Sequence, residues 1–150
     1  MLLRAVWTLN RCCPRWELLC VAVKPTGFHL KIRKRCSNNR EHFCHGFHIH
    51  EKGDCSSGDG LSAGGHFNPA GQPHAHPSNA ARHTGDLPML VADSNGNATL
   101  SAELDVMTIG SGANDIVGRG LIVHKDPDDF KTQPTGNSGA RLACGVIRKS

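Results

Sequence analysis

Gly46-Phe47-His48-Ile49-His50-Glu51 sets two imidazoles on alternate residues. On a β-strand successive side chains point to opposite faces, so His48 and His50 project together while Ile49 goes the other way. One strand then supplies two corners of a coordination site. Further along lie His66, His74, His83 and Asp86, and His124 ends the apolar run Leu121-Ile122-Val123. This is ligand spacing for two metals, the first carried by strands and the second by loops.

The rest of the chain frames that reading. Its 150 residues suffice for one domain with a single core and not for two. Seventeen glycines, no tyrosine and frequent turn residues suggest a soluble, turn-rich all-β protein, and no apolar run is long enough to cross a bilayer. The net charge of +4 hides an asymmetry: residues 1–45 hold nine Lys and Arg against two acids, and residues 46–150 hold eight against eleven. Arg33-Lys34-Arg35 is too short, and too poor in interleaved aromatics, to read as a nucleic-acid or membrane surface. A solvated face or arm accounts for it better.

Seven cysteines is an odd number, so at least one is unpaired unless it bonds another chain. Only Cys55 and Cys144 fall in the acidic part. Joined, they would close a long loop over the ligands and stabilise by about 2–4 kcal/mol in an oxidising compartment; unjoined, they read as two buried thiols. Cys12, Cys13, Cys20, Cys36 and Cys44 lack such a context, and Cys36, His42 and Cys44 lack the paired spacing of a zinc finger. The apolar stretch after Met1-Leu2-Leu3-Arg4 is broken by Arg11, Arg15 and Glu17, with no small-residue cleavage site, so a secretory signal is not demonstrable.

Residues 18–23 and 28–33 flank Lys24-Pro25-Thr26-Gly27 as a hairpin, and residues 35–43 lose all periodicity. Residues 87–91 and 98–104 flank Asp93-Ser94-Asn95-Gly96 as a second hairpin with an Asn-Gly turn. Residues 115–124 and 142–147 read as two more strands. The stretches 53–86 and 125–141 are long, polar and rich in turn residues, and loops of that length in a compact domain have a function or something holding them in place. Short strands joined by two long functional loops predict a Greek-key β-barrel or sandwich, immunoglobulin-like in outline.

His48, His50 and His124 would form an all-nitrogen site suited to copper with an open position, while His74, His83 and Asp86, plus a fourth ligand, would form a closed tetrahedral zinc site. His66 lies between the two sets and has two ring nitrogens, so an imidazolate there can bind both metals, an inference from chemistry rather than spacing. Ligating histidines need an acceptor for the second nitrogen, and Asp128, just past His124, is the natural candidate, with Asp126 and Asp129 solvated. Any one histidine alone would read as a satisfied surface or core residue; six at compatible positions change that. His76, two residues from His74, could compete for zinc. His29, His42 and His45 are read as non-ligands, His45 packing or hydrogen-bonding beside the site.

The chain resembles the copper,zinc superoxide dismutases, and specifically their bacterial, periplasmic branch. The resemblance covers residues 45–147, about two-thirds of the sequence. It is carried by Gly46-Phe47-His48-Ile49-His50-Glu51-Lys52-Gly53-Asp54-Cys55, Gly64-Gly65-His66-Phe67-Asn68-Pro69 and His83-Thr84-Gly85-Asp86-Leu87-Pro88, then Gly118 to His124 and Thr135 to Ile147. It implies Cu at His48, His50, His66 and His124, Zn at His66, His74, His83 and Asp86, and a disulfide between Cys55 and Cys144. It further implies that Asp128 links the two metal sites and that Arg141 stands beside the open copper position. The activity implied is conversion of superoxide to oxygen and hydrogen peroxide, with His66 and Arg141 as the catalytic residues and Lys125 or Lys131 helping to attract the anion. A homodimer and a periplasmic location, with the cytoplasm as the alternative, come with it; nucleic acid and membrane do not.

Residues 1–44 depart from the family pattern and are set apart from the dismutase-like domain 45–150 as a divergent segment with doubtful strands, of which only 18–33 resemble family strands. A misassigned start or disturbed frame would explain them. Two further readings stand beside a working dismutase. One is a metal-binding module of the same fold without turnover, copper-chaperone-like. The other is a basic nucleic-acid binder built on the N-terminal part, which needs a zinc-finger spacing that is absent.

Overall fold

The computed structural model describes residues 3–9, 16–24, 27–34, 43–93 and 97–149. Within them the strands are β1 (Leu3–Leu9), β2 (Trp16–Lys24), β3 (Gly27–Lys34), β4 (Phe43–His45), β5 (Phe47–His50), β6 (Leu90–Ala92), β7 (Asn97–Ala102), β8 (Gly120–His124) and β9 (Arg141–Lys149). They form a four-stranded sheet, β1-β9-β8-β5, and a five-stranded sheet, β2-β3-β7-β6-β4. All strand pairs are antiparallel. Four of the seven neighbouring pairs join strands that are not consecutive, as Greek-key connections do, and the strands lie in two separate sheets, so of the two architectures expected the sandwich describes the molecule. No described helix is long and apolar enough to cross a membrane.

The strands left in doubt at the N-terminus hold places in both sheets. β2 and β3 form the expected hairpin, and β3 pairs onward with β7. β1, where no strand was expected, pairs with β9 from Leu3↔Lys149 to Leu9↔Ala143. Its partner lies at the opposite end of the chain, where no local pattern reveals it. The second hairpin pairs Ala92 with Ala98, and its Asn-Gly turn falls outside the described residues.

Residues 115–119, expected to begin β8, stand apart from it: Asp115 makes an isolated bridge to Thr108 and Val117-Gly118 form a turn. The Asp115 carboxylate accepts the amides of Gly110 and Val117, a local alternative to a strand ladder, and Gly118 has φ 80°. β9 is longer than expected because β1 extends its pairing to Lys149.

Period two sorts β5, β8 and β9 into two faces. Phe47, Ile49, Leu121, Val123, Ala143 and Ile147 turn into the core against Leu90, Ala92 and Ala98 of the other sheet. Each large side chain fully buried there contributes about 1.5–3 kcal/mol. The opposite face of the same sheet carries His48, His50, Ile122, His124 and Cys144. All four residues of β5 are nevertheless buried, because loops cover that face.

The loops are attached by backbone. Phe67 N–H donates to the Ile49 carbonyl (2.8 Å), Ile49 N–H to the Gly85 carbonyl (2.9 Å) and Gly85 N–H to the Phe67 carbonyl (2.8 Å). Bridges His48↔Asp86 and His50↔His66 continue this pairing. Gly85 is a glycine of necessity, since a Cβ there would strike the Ile49 carbonyl. The loop residues His66 and Asp86 are thereby fixed to the histidine strand.

Candidate metal centre

A register shift between Val123 and His124, a β-bulge of the sort that re-aims a side chain beside a site, sets His124 opposite Arg141. His124 so joins His48, His50 and His66, and one ring nitrogen from each lies within 4.8 Å of the others. All four side chains are buried. Each of three rings is anchored through one nitrogen. His48 Nε2 bonds the Asp128 carboxylate (2.6 Å), His50 Nδ1 donates to the Gly64 carbonyl (2.9 Å) and His124 Nδ1 to the Gly139 carbonyl (3.2 Å). The other nitrogens turn inward. His50 Nε2 and His124 Nε2 are 3.4 Å apart, and buried His48 Nδ1 and His66 Nε2 have no protein partner.

On the other side of His66 the donors gather on Asp86, which is fully buried. Its Oδ1 lies 3.2 Å from His66 Nδ1, 2.9 Å from His74 Nδ1 and 3.5 Å from His83 Nδ1. Its Oδ2 accepts the amides of Ala75 and His83. His66 Nδ1 and His83 Nδ1 are 3.4 Å apart. Donors arranged tetrahedrally about 2.0 Å from one ion stand about 3.3 Å from each other, so these separations suit a single small cation. On this side the four donors that all lie within 4.8 Å of one another come from His48, His66, His74 and Asp86, without His83. His48 has its Nε2 on Asp128, whereas His83 Nδ1 lies 3.5 Å from Asp86 and 3.4 Å from His66.

Asp128 connects the two groups. Oδ2 accepts from His48 and Oδ1 from His74 Nε2 (2.9 Å), and Oδ1 also takes the Phe130 amide (2.7 Å). Asp128 thus accepts from one histidine of each group, His48 and His74, while His124 uses a backbone carbonyl. Asp129 is exposed and Asp126 half-buried. His45 is buried and its Nδ1 donates to the His124 carbonyl (2.8 Å), the supporting role expected of it. His76 is exposed with Nδ1 on Ser78, and does not enter the second group. His29 and His42 have no described side chains.

Burial and charge treat the two groups differently. Desolvation lowers the pKa of His48, drives His50 well below its ordinary value, and takes His66 to about 4 and His124 to about 3. These rings are neutral near pH 7, the form that ligates a metal. Burial also opposes charge on His74, but its hydrogen bonds to Asp128 and Asp86 outweigh it and raise the ring to about 9. Desolvation of Asp86 and Asp128 is likewise outweighed by bonds from the histidines, and both carboxyls lie well below the usual range.

The family model for copper/zinc superoxide dismutase (SODC) matches residues 21–147. The chain belongs to the copper/zinc superoxide dismutase family. A superoxide dismutase [Cu-Zn] 2 of Aquifex aeolicus (strain VF5) is 41% identical over 106 residues, 68% of this chain and 62% of the relative. One of Brassica juncea is 44% identical over 109 residues, 69% of this chain and 70% of the relative. The chain thus spans less than two-thirds of the Aquifex protein's length. Among solved structures, the clock protein EA4 superposes with a TM-score of 0.78 at 35% identity, covering 97% of this chain and 92% of that one. The donor chemistry fits the family's metals: imidazole nitrogens, two of them buried without partners, suit copper, and a set containing a carboxylate suits zinc.

As expected for this family, the Cys55–Cys144 disulfide is present, with Cα atoms 5.7 Å apart and a sequence separation of 89. It packs with Ala63 and Ile122 and so fastens the loop around the 3₁₀ turn Leu61–Ala63 to β9. That loop holds Arg141, whose Nη1 donates to the Gly60 carbonyl and Nη2 to the Gly64 carbonyl, both at 2.7 Å. The Gly64 carbonyl also receives His50, so one acceptor orients a guanidinium and a ring of the first group. A cleft of about 560 Å³ opens over this arrangement, lined by Asp59, Leu61, His124, Thr135 and Arg141 among others. Lys125 and Lys131 do not line it.

Three residues of this site were not singled out from the sequence. Gly60 and Gly64, with φ 74° and 77°, offer the carbonyls that hold Arg141, and glycines flanking Leu61-Ser62-Ala63 were the available signal. Gly136, φ 66°, sits where a Cβ would overlap the Asp128 carboxylate and come within 2.6 Å of His74 Nε2.

Proposed function

We propose that this chain disproportionates superoxide, two anions and two protons yielding one oxygen and one hydrogen peroxide. In this reading His48 Nδ1, His50 Nε2, His66 Nε2 and His124 Nε2 hold copper, and His66 Nδ1, His74 Nδ1, His83 Nδ1 and Asp86 hold zinc. Bound copper supplies one-electron oxidation and reduction, while zinc orients the shared ring without changing oxidation state. Arg141 draws the small anion into the cleft and orients it beside His124. His66 Nε2 is the atom that takes up and gives back a proton in this reading; it is buried with no protein partner, so no protein group competes for that position. One superoxide surrenders an electron and leaves as oxygen; the second accepts that electron with two protons and leaves as the peroxide.

The observation that carries the reading is the convergence of four imidazoles on one another, with one of them, His124, lining a cleft together with Arg141. A periplasmic location belongs to the same proposal, supported by the Aquifex relative and by a disulfide of the kind that persists in oxidising compartments. So does a homodimer, which sedimentation would detect.

The test is to measure copper and zinc per protomer and superoxide removal with and without a copper chelator. Equimolar metals and chelator-sensitive turnover are expected. Zinc without copper and no turnover would instead identify a metal-binding module of the same fold, the rival that the likeness to a clock protein keeps in view.

A further inference from the structure

His74 occupies a stretch without helix or strand, between Pro73 and the segment Ala75-His76-Pro77. Its ring is fixed by Asp86 and Asp128, but a ring is only as well placed as the backbone that bears it. Among the described residues, one side chain meets that backbone on both sides. His74 N–H donates to Gln133 Oε1 at 2.8 Å, and Gln133 Nε2 donates to the His74 carbonyl at 2.8 Å. The primary amide thus engages the peptide groups of His74 on both sides, as a neighbouring strand would. Gln133 Nε2 also reaches the Lys131 carbonyl (3.3 Å), fixing the amide's orientation.

Gln133 comes from the loop between Asp128 and Arg141, and that loop is internally braced. Asp129 accepts from the Lys131 and Thr132 amides and the Thr132 hydroxyl, and Gly136 N–H donates to the Thr132 carbonyl (2.7 Å). His74 is therefore gripped from this one loop at two points, by Asp128 on the ring and by Gln133 on the backbone. The same loop continues into Thr135, Asn137 and Ser138, which line the cleft.

We infer that Gln133 is the positioning residue for His74, holding its ring in the direction that retains zinc and coupling the zinc loop to the loop that lines the anion cleft. This rests on the proposed zinc site. Gln133 bonds the backbone of His74 and not its ring nitrogens, and it is exposed, so its removal opens no cavity in the core.

The test uses the full chain and Q133A and Q133E, with zinc release to a chelator, the visible spectrum of Co(II) placed in the zinc site, and melting of the metal-free forms. Q133A should release zinc on the order of tenfold faster, the lower end of what losing an outer partner of a metal ligand does. Its Co(II) bands should shift while metal-free melting stays near that of the parent. Q133E keeps an acceptor for the His74 amide but sets a carboxylate against the His74 carbonyl, and should lie at or beyond Q133A. Parent-like zinc release and Co(II) bands in both variants would overturn the inference, as would a zinc loss no larger than the loss of metal-free stability. If Q133A does not fold, Q133E alone decides between these outcomes. A parent chain giving no tetrahedral Co(II) spectrum would sink the zinc site itself, a failure visible before any variant is made.

Discussion

The strand-borne and loop-borne halves of the metal centre share His66 and differ in how they manage charge. On the strand side, His48, His50 and His124 are neutralised by burial and anchored mainly to carbonyls, with inward nitrogens left open. On the loop side, His74 is raised to about 9 between two carboxylates. One half is a preformed ring of neutral donors fixed by a sheet. The other is an ion-paired cluster, in which a proton on His74 occupies part of the place a cation would take, so metal entry there must expel a proton. Rigidity comes from the fold in the first half and from charge in the second.

Replacing His66 with Ala cuts that comparison at its hinge. Both metals should bind poorly and superoxide removal should fall on the order of a thousandfold or more, read by metal content and turnover. An H66A chain that kept both metals would mean the halves are independent. Asp128→Ala removes the acceptor of His48 and of His74, and should weaken retention of both metals by about 10–100-fold; an effect confined to one would show that Asp128 serves only that half. Arg141→Ala should leave the loop half untouched while lowering the rate about tenfold at low salt and flattening its fall with added salt, since steering of an anion is what the guanidinium supplies. Equal salt slopes in R141A and the parent would assign steering elsewhere.

The smallest effect is on the metal-free chain as pH changes, where the halves carry opposite signs. Between about pH 4 and 6.5 the unfolded chain binds protons that buried His66 and His124 refuse, so stability rises with pH across that window and is lost as pH falls through it. His74, raised to about 9, contributes fully below pH 6.5 and ceases to do so as pH climbs through 9. Each unmatched proton tilts stability by about 1.4 kcal/mol per pH unit. Denaturant midpoints from pH 4 to 10 should therefore peak near neutrality. A monotonic profile would remove the distinction.

Much of this was legible in the sequence because period two is a strong signal. Phe47-His48-Ile49-His50 sorts itself onto two faces, and the loops declared themselves by a want of apolar residues. The cysteines near the ligands admitted a bridge or two thiols until the family resemblance chose. What escaped depends on long-range pairing. β1 finds its partner across nearly the whole chain, and Asp128 reaches His74 through a turn whose shape Gly136 makes possible. Apolar content at residues 115–119 suggested a strand, but an aspartate able to accept two nearby amides turned the chain instead.

The seam between Ile49, Phe67 and Gly85 has a consequence for solubility. β5 ends its sheet, and its outward amides and carbonyls would otherwise template pairing with another molecule, as bare margins of sheets do. Here the segments that carry the metal donors occupy that margin, so cation retention and resistance to clumping are tied to the same few peptide groups. Anything that loosened those segments would uncover a sticky border as well as disable the centre.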